Sequence, residues 1–208
     1  MTVVQKPAPA RSDLPEPATP ANRRPYLLHG SVLTAGALAW AAAIAAYGPD
    51  PVKQPLPLLL FGIGSGLFQV GLVLLLRVLD RTHALGSGRL ARAVIRLETA
   101  FVGLAIASTT VDAVGVSDLT QTFWLVLDLF WPLSMLGMFL IGIRIAVAGR
   151  WRGLSRFWPV VAESWAVVTI PVMGALGADA ARVVGSLHLL VGYAVLGQIV
   201  SRKAADGS

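Results

Sequence analysis

The chain has 208 residues, 55% of them hydrophobic and only 13% charged, with a mean hydropathy of +0.70. A soluble domain of this length needs far more charge on its surface, so most of the chain is expected to face lipid or other helices. The absence of cysteine excludes disulfides, thiolate nucleophiles and thiolate metal sites, while the net charge of +6 gains meaning only from where the basic residues sit.

Residues 1–24 are rich in Pro, Ala and polar side chains without an apolar period, and are expected to be disordered. Six apolar segments follow, at about 26–47, 57–76, 93–114, 122–143, 157–176 and 180–200. Each is long enough to cross a hydrocarbon core, which takes roughly 20 residues. The turns between them are short and carry helix-stopping text such as "GPDPVKQP", "HALGSGR" and "GALGADA". The expected fold is all-α: a polytopic membrane protein with six transmembrane helices in a compact bundle over 25–201, and a short tail at 202–208. A second reading of the start takes "RRPYLL" and "AIAAYG" as a twin-arginine signal with a cleavage site. Five further spans follow directly, which favours a first membrane helix.

The basic residues fall into order on this frame. Lys6, Arg11, Arg23 and Arg24 precede the first helix. Arg77, Arg81, Arg89, Arg92 and Arg96 flank the second turn, and Arg144, Arg150, Arg152 and Arg156 flank the fourth. Arg202 and Lys203 follow the last helix, so only Lys53 and Arg182 fall on the other side. The positive-inside rule then places both termini in the cytoplasm, in a bacterial inner membrane. The basic charge reads as topology plus attraction to anionic headgroups, making membrane lipids the expected partner. With no basic, aromatic-interleaved domain, no nucleic-acid partner is expected.

"GIGSGLFQVG" (62–71) lies mid-span rather than after a strand, so it is not a phosphate loop. Its Gly62 and Gly66 instead predict a face for close helix approach. The first helix ("TAGALAWAAAIAA") and the sixth ("GSLHLLVGYAVLG") read as contact faces too, and such faces allow homo-oligomers. Trp124, Trp151 and Trp158 fit interfacial belts, whereas Trp131 and Trp165 lie too deep for that. A weak internal echo links Arg77 with Glu98 and Arg144 with Glu163, as in a duplicated helix pair.

A charged group deep in a bilayer costs about 2.5–3.5 kcal/mol on insertion scales, so such groups turn toward the bundle interior. The candidates form two layers. Glu98 and Glu163 sit in the cytoplasmic half, near His29, Arg96 and Arg144, where an inner arginine is one expected partner for Glu98. Asp128 and His188 sit in the outer half, with Asp112 at the outer boundary. Glu98, Ala105, Thr109 and Asp112 share one helix face, and the two carboxylates lie ~21 Å apart along it.

"VLDLFWPLSMLGM" (126–138) joins a carboxylate to a helix breaker. Pro132 cannot donate to the carbonyl of Asp128, so the fourth helix is expected to bend there and free that carbonyl. Asp128, Trp131 one turn on, and His188 are then expected to line a small outward-facing cavity. No lysine lies in a span, which excludes a retinal Schiff base. His29 and His188 sit ~15 Å apart in depth, which excludes a haem between them. With so few ligands no metal centre or other cofactor is expected.

Three functions use these features. A bundle that binds or moves a small solute or proton would employ Asp128, His188 and Asp112 outside and Glu98 and Glu163 inside. A membrane-embedded enzyme would let a protonated carboxyl start carbocation chemistry on an isoprenoid or lipid-like ligand, although Glu163 and Trp165, two apart on a helix, are not expected to share a face. A non-catalytic accessory subunit needs none of them. "WPLSMLGM" and "AGRWRGLSRFWP" resemble uncharacterised six-span membrane proteins of high-GC bacteria. That resemblance brings no activity or site with it.

Overall fold

The computed structural model describes residues 20–50 and 54–203, with side chains from Tyr26 onward. Three long helices come first: α1 (Pro20–Tyr47), α2 (Pro55–Arg81) and α3 (Arg89–Ala113). Then α4 (Thr122–Asp128) runs into α5 (Phe130–Ala148), and α6 (Leu154–Glu163) into α7 (Trp165–Leu176). Last, α8 (Ala178–His188) passes through a π-helical turn (Leu189–Ala194) into α9 (Val195–Arg202). Helix is the only regular structure among the described residues. The tail expected over 1–24 lies outside the described residues up to residue 19, and the chain is already helical from Pro20.

These helices make six rods, and each rod packs on the next in chain order until the last closes on the first. The short connections dictate this order, because neighbouring rods must run antiparallel. Pro55 and Pro57 open α2, where a missing N–H costs nothing. Gly149, at φ 64°, ends α5 in the left-handed conformation that a Cβ disfavours.

Polarity is inverted relative to a soluble protein. On α5 the exposed face carries Leu133, Leu136, Leu140 and Ile143, while Ser134 is buried. Buried as well are Ser65, Gln69, Glu98, Ser108, Glu163, Thr169 and Ser186. Water does not select such a surface, but hydrocarbon does. Five helices are long and apolar enough to cross a membrane, including Thr122–Ala148, Leu154–Leu176 and Ala178–Arg202 taken through their interruptions. This is the architecture of a multi-pass membrane protein. The remaining rod, α3, carries Arg89, Arg92, Arg96, Glu98 and Asp112.

Close backbone approach holds the first two rods together. A Cβ at Gly36 would stand 2.5 Å from the Phe68 Cα, and one at Gly71 would stand 2.7 Å from the Leu33 Cα. The face expected from Gly62 and Gly66 divides. Gly62 meets Ala113 of α3, but Gly66 has nothing within 4 Å, and the α1 contact runs through Gly64 and Gly71 instead. The predicted contact between the first and last helices is present, since Gly197 lies against Thr34 and the Gly30 carbonyl.

Three charged or aromatic residues have structural posts that the sequence did not reveal. Arg182 donates to the carbonyls of Ala45 at 2.7 Å and Ala46 at 2.5 Å, capping the C-terminal end of α1. Trp151 is no belt residue. It is 3% exposed, its indole N–H donates to Thr82 at 3.1 Å, and the Lys203 ammonium sits 3.8 Å over its ring. Trp158 likewise donates inward, to the Gly192 carbonyl at 3.0 Å.

Replacing Gly36 by Val should destabilise the bundle by about 1–3 kcal/mol through overpacking. Gly66→Ala should leave stability unchanged, because its Cβ enters open space. Thermal unfolding of both variants in one detergent checks the pair.

Candidate functional site

The side chains that fill the ring come from five of the six rods. Trp40 of α1 reaches across to Trp165 of α7, with ring centroids 4.9 Å apart, and meets Trp131 of α5 edge-on at 6.0 Å. Trp131 and Trp165 also touch edge-on, at 5.8 Å. Phe68 of α2 lies 4.9 Å from Trp40 and 4.7 Å from Tyr193 of the π-helical turn. Trp40 can cross the centre because Ala37 and Ala41 beside it are small.

Two glutamates enter this aromatic centre. Glu163 is 1% exposed, and its Oε2 accepts a 2.6 Å hydrogen bond from the Tyr193 hydroxyl. Its Oε1 is buried without a partner. Glu98 of α3 is 4% exposed, and its Oε1 is also buried and unpartnered. The Glu98 carboxyl occupies the space that a side chain at Gly137 of α5 would fill, so that glycine is its cradle. Glu98 lies within electrostatic reach of both Glu163 and Tyr193. Arg96 and Arg144, the basic neighbours on α3 and α5, are exposed. An inner arginine partner for Glu98 is therefore not what the structure provides.

Each rod that supplies this centre from its second half of the chain is interrupted beside it. The fourth rod breaks at Leu129, two residues before Trp131, as the Asp128–Pro132 pairing predicts. The fifth breaks at Ser164, between Glu163 and Trp165. The sixth loses its α-helical register at the π turn that holds Tyr193. In a continuous helix two residues two apart point about 200° from one another, yet here Glu163 and Trp165 are both buried.

The outer residues are distributed differently from the expected cavity. Asp128 is half-buried and accepts a long 3.4 Å hydrogen bond from Ser108, with Asp112 in electrostatic reach. His188 engages backbone instead. Its Nε2 stands 2.8 Å from the Val161 carbonyl and 3.3 Å from that of Ala162. Carbonyls only accept, so that nitrogen carries the proton. His188 thus braces the last turn before the Ser164 break, and Trp131 belongs to the central aromatic cluster. Asp112 and Asp128 form one acidic pair, and Glu98 and Glu163 form another.

The face of α3 links the pairs. Glu98, Val102, Ala105 and Ser108 are buried along it, and Thr109 accepts a 2.9 Å hydrogen bond from Gln69. Among the described residues no group of three His, Asp or Glu is placed to hold a metal ion. Tyr193, Trp40 and Phe68 were not singled out by sequence. One signal was available for Tyr193, since the other tyrosines, Tyr26 and Tyr47, lie at the ends of the first apolar segment while Tyr193 lies within an apolar run.

A buried carboxylate with no counter-charge costs several kcal/mol. A proton or a bound cation removes that cost. No family model, no characterised protein and no solved structure matches the chain.

Gly137→Ala should drive a methyl group into the Glu98 carboxyl and lower the melting midpoint in detergent. Adding Glu98→Ala to the same chain should restore at least half of the loss, and a double-mutant cycle measures that coupling.

Proposed function

We propose that the protein is a six-span bundle that exchanges protons at Glu98, Glu163 and Tyr193 and uses the exchange to bind or move a small solute. The unpartnered Oε1 atoms of two buried glutamates carry this reading. A group kept in that state is poised to gain and lose a neutralising partner. Asp112 and Asp128 supply an outer relay, at the other end of the buried face of α3 that carries Glu98 and Ser108. His188 holds the neighbouring backbone rather than shuttling the proton.

The topology follows the same logic. α3 has 25 residues, or ~38 Å of helix, enough for the ~30 Å hydrocarbon core. Its Arg89, Arg92 and Arg96 lie in the first two turns, within reach of headgroups. Arg182 is committed to capping α1, so it is a weak counter-signal to the positive-inside pattern. This supports both termini in the cytoplasm and a bacterial inner membrane as the location.

Reconstituted in liposomes under an imposed pH gradient, the wild-type chain should carry protons inward as reported by an internal dye. Glu163→Gln and Glu98→Gln should each cut that flux at least tenfold, and Asp128→Asn should slow it. Full flux in both glutamine variants would remove the proposal.

The aromatic centre also favours a second reading, an enzyme acting on an isoprenoid or lipid. Glu163, bonded to Tyr193 of the aromatic cluster that includes Trp40, Trp131 and Trp165, unites an acid with ring faces that stabilise a carbocation. Turnover of a polyprenyl substrate by purified protein, lost in Glu163→Gln, would decide for that chemistry over transport.

A further inference from the structure

We infer that the solute is an organic ammonium ion with an apolar body, bound between the three tryptophans and the two glutamates in exchange for a proton. This rests on the proton-exchange reading above and names what is exchanged.

The chemistry of the lining selects the class. Trp40, Trp131, Trp165, Phe68 and Tyr193 form a continuous aromatic wall. Ring faces attract a cation, and the attraction grows when the site is dry. Two buried acceptors, Oε1 of Glu98 and Oε1 of Glu163, lack donors. An ammonium N–H supplies a donor and a positive charge together. An anion would meet two carboxyls, and a neutral apolar molecule would leave both acceptors unmet. A small inorganic cation would make no use of the aromatic wall and would require several oxygen ligands in place of its water. Tyr193 already satisfies Oε2 of Glu163, so the carboxyl is held with one edge free. The indole N–H of Trp40 is buried without an acceptor as well, leaving a place for one hydroxyl or carbonyl on the apolar body.

The rings touch one another, so the site is closed in this structure. Opening falls to the interruptions at Leu129, Ser164 and 189–194, which flank Trp131, Trp165 and Tyr193. π-helical turns are frequent at functional sites and give a helix local freedom to shift. Charge balances in the exchange. The protonated carboxyl releases H⁺ to water, and the carboxylate that remains pairs with the ammonium.

The test uses the full chain in detergent at neutral pH with phenethylammonium and its uncharged isostere, 2-phenylethanol. Phenethylammonium should change the tryptophan emission saturably and release about one proton per bound ligand into weak buffer. The alcohol should bind at least tenfold more weakly. Glu163→Gln and Glu98→Gln should each weaken ammonium binding at least tenfold, with folding verified by thermal unfolding, and Tyr193→Phe gives a second variant that keeps both carboxyls. Equal binding of alcohol and ammonium, or undiminished ammonium binding in both glutamine variants, would overturn the inference. Proton flux in liposomes without saturable ammonium binding would overturn it too, while leaving the proton-exchange reading intact.

Discussion

The 2.6 Å hydrogen bond from Tyr193 to Glu163 ties the fifth rod to the sixth between side chains that are almost wholly buried. In hydrocarbon there is no hydrophobic drive to bring helices together, because lipid tails are as apolar as leucine. What remains is close packing and the demand of polar groups for partners. Here the two act at different places. Glycine contacts join α1 to α2 and α1 to α9 around the perimeter, while the carboxyls and the tryptophans organise the centre. The ring closes because both demands are met by the same order of rods.

The interruptions are the counterpart of that arrangement. A straight helix presents one face, and a residue two positions from a buried one must point away. The fifth rod packs on the rods at both its sides, and Glu163 and Trp165 are both buried around the one-residue interruption at Ser164. Carbonyls near such a break need new donors, and His188 answers that need for Val161 and Ala162. Trp158 does the same on the facing rod, donating to Gly192 within the π turn. These two interruptions are therefore each supported from a neighbouring rod, which makes them defined joints rather than frayed ends.

Much of this was legible in the sequence, and the limits have a physical form. Apolar length gave the rods, and the Asp128–Pro132 pairing gave the break at Leu129. Insertion cost placed Glu98 and Glu163 inside the bundle, and their depth grouped them in one layer. Depth is what residue counting supplies. Azimuth it supplies only while a helix stays regular, and three rods do not. Hence His188 looked available to Asp128 when it serves backbone carbonyls instead. Trp40 and Tyr193 escaped notice for a related reason. Each is a lone large residue in a small or apolar run, and only the packed ring shows that the small neighbours make room for it. Trp151 misled in the opposite direction, since a tryptophan at a helix end reads as an interfacial anchor until Thr82 and Lys203 are seen against it.

The energy scales make a closed centre compatible with traffic through it. Swinging Trp131 away from Trp40 and Trp165 gives up two edge-on ring contacts, each worth about 0.5–1.5 kcal/mol. Releasing Tyr193 from a protonated Glu163 gives up a neutral hydrogen bond, worth about 0.5–1.5 kcal/mol. These sums are comparable with the several kcal/mol set by whether a buried carboxylate is neutralised. Neutralisation can therefore shift the balance between a closed and an open centre, provided the partner binds the two states unequally. A proton, being small, fits the closed ring. A bulkier cation does not, and its binding is coupled to opening by size alone. Under the proposed exchange, the choice of which neutralising partner sits at Glu98 and Glu163 would thus also be a choice of conformation, and alternation between the two a minimal basis for moving one against the other.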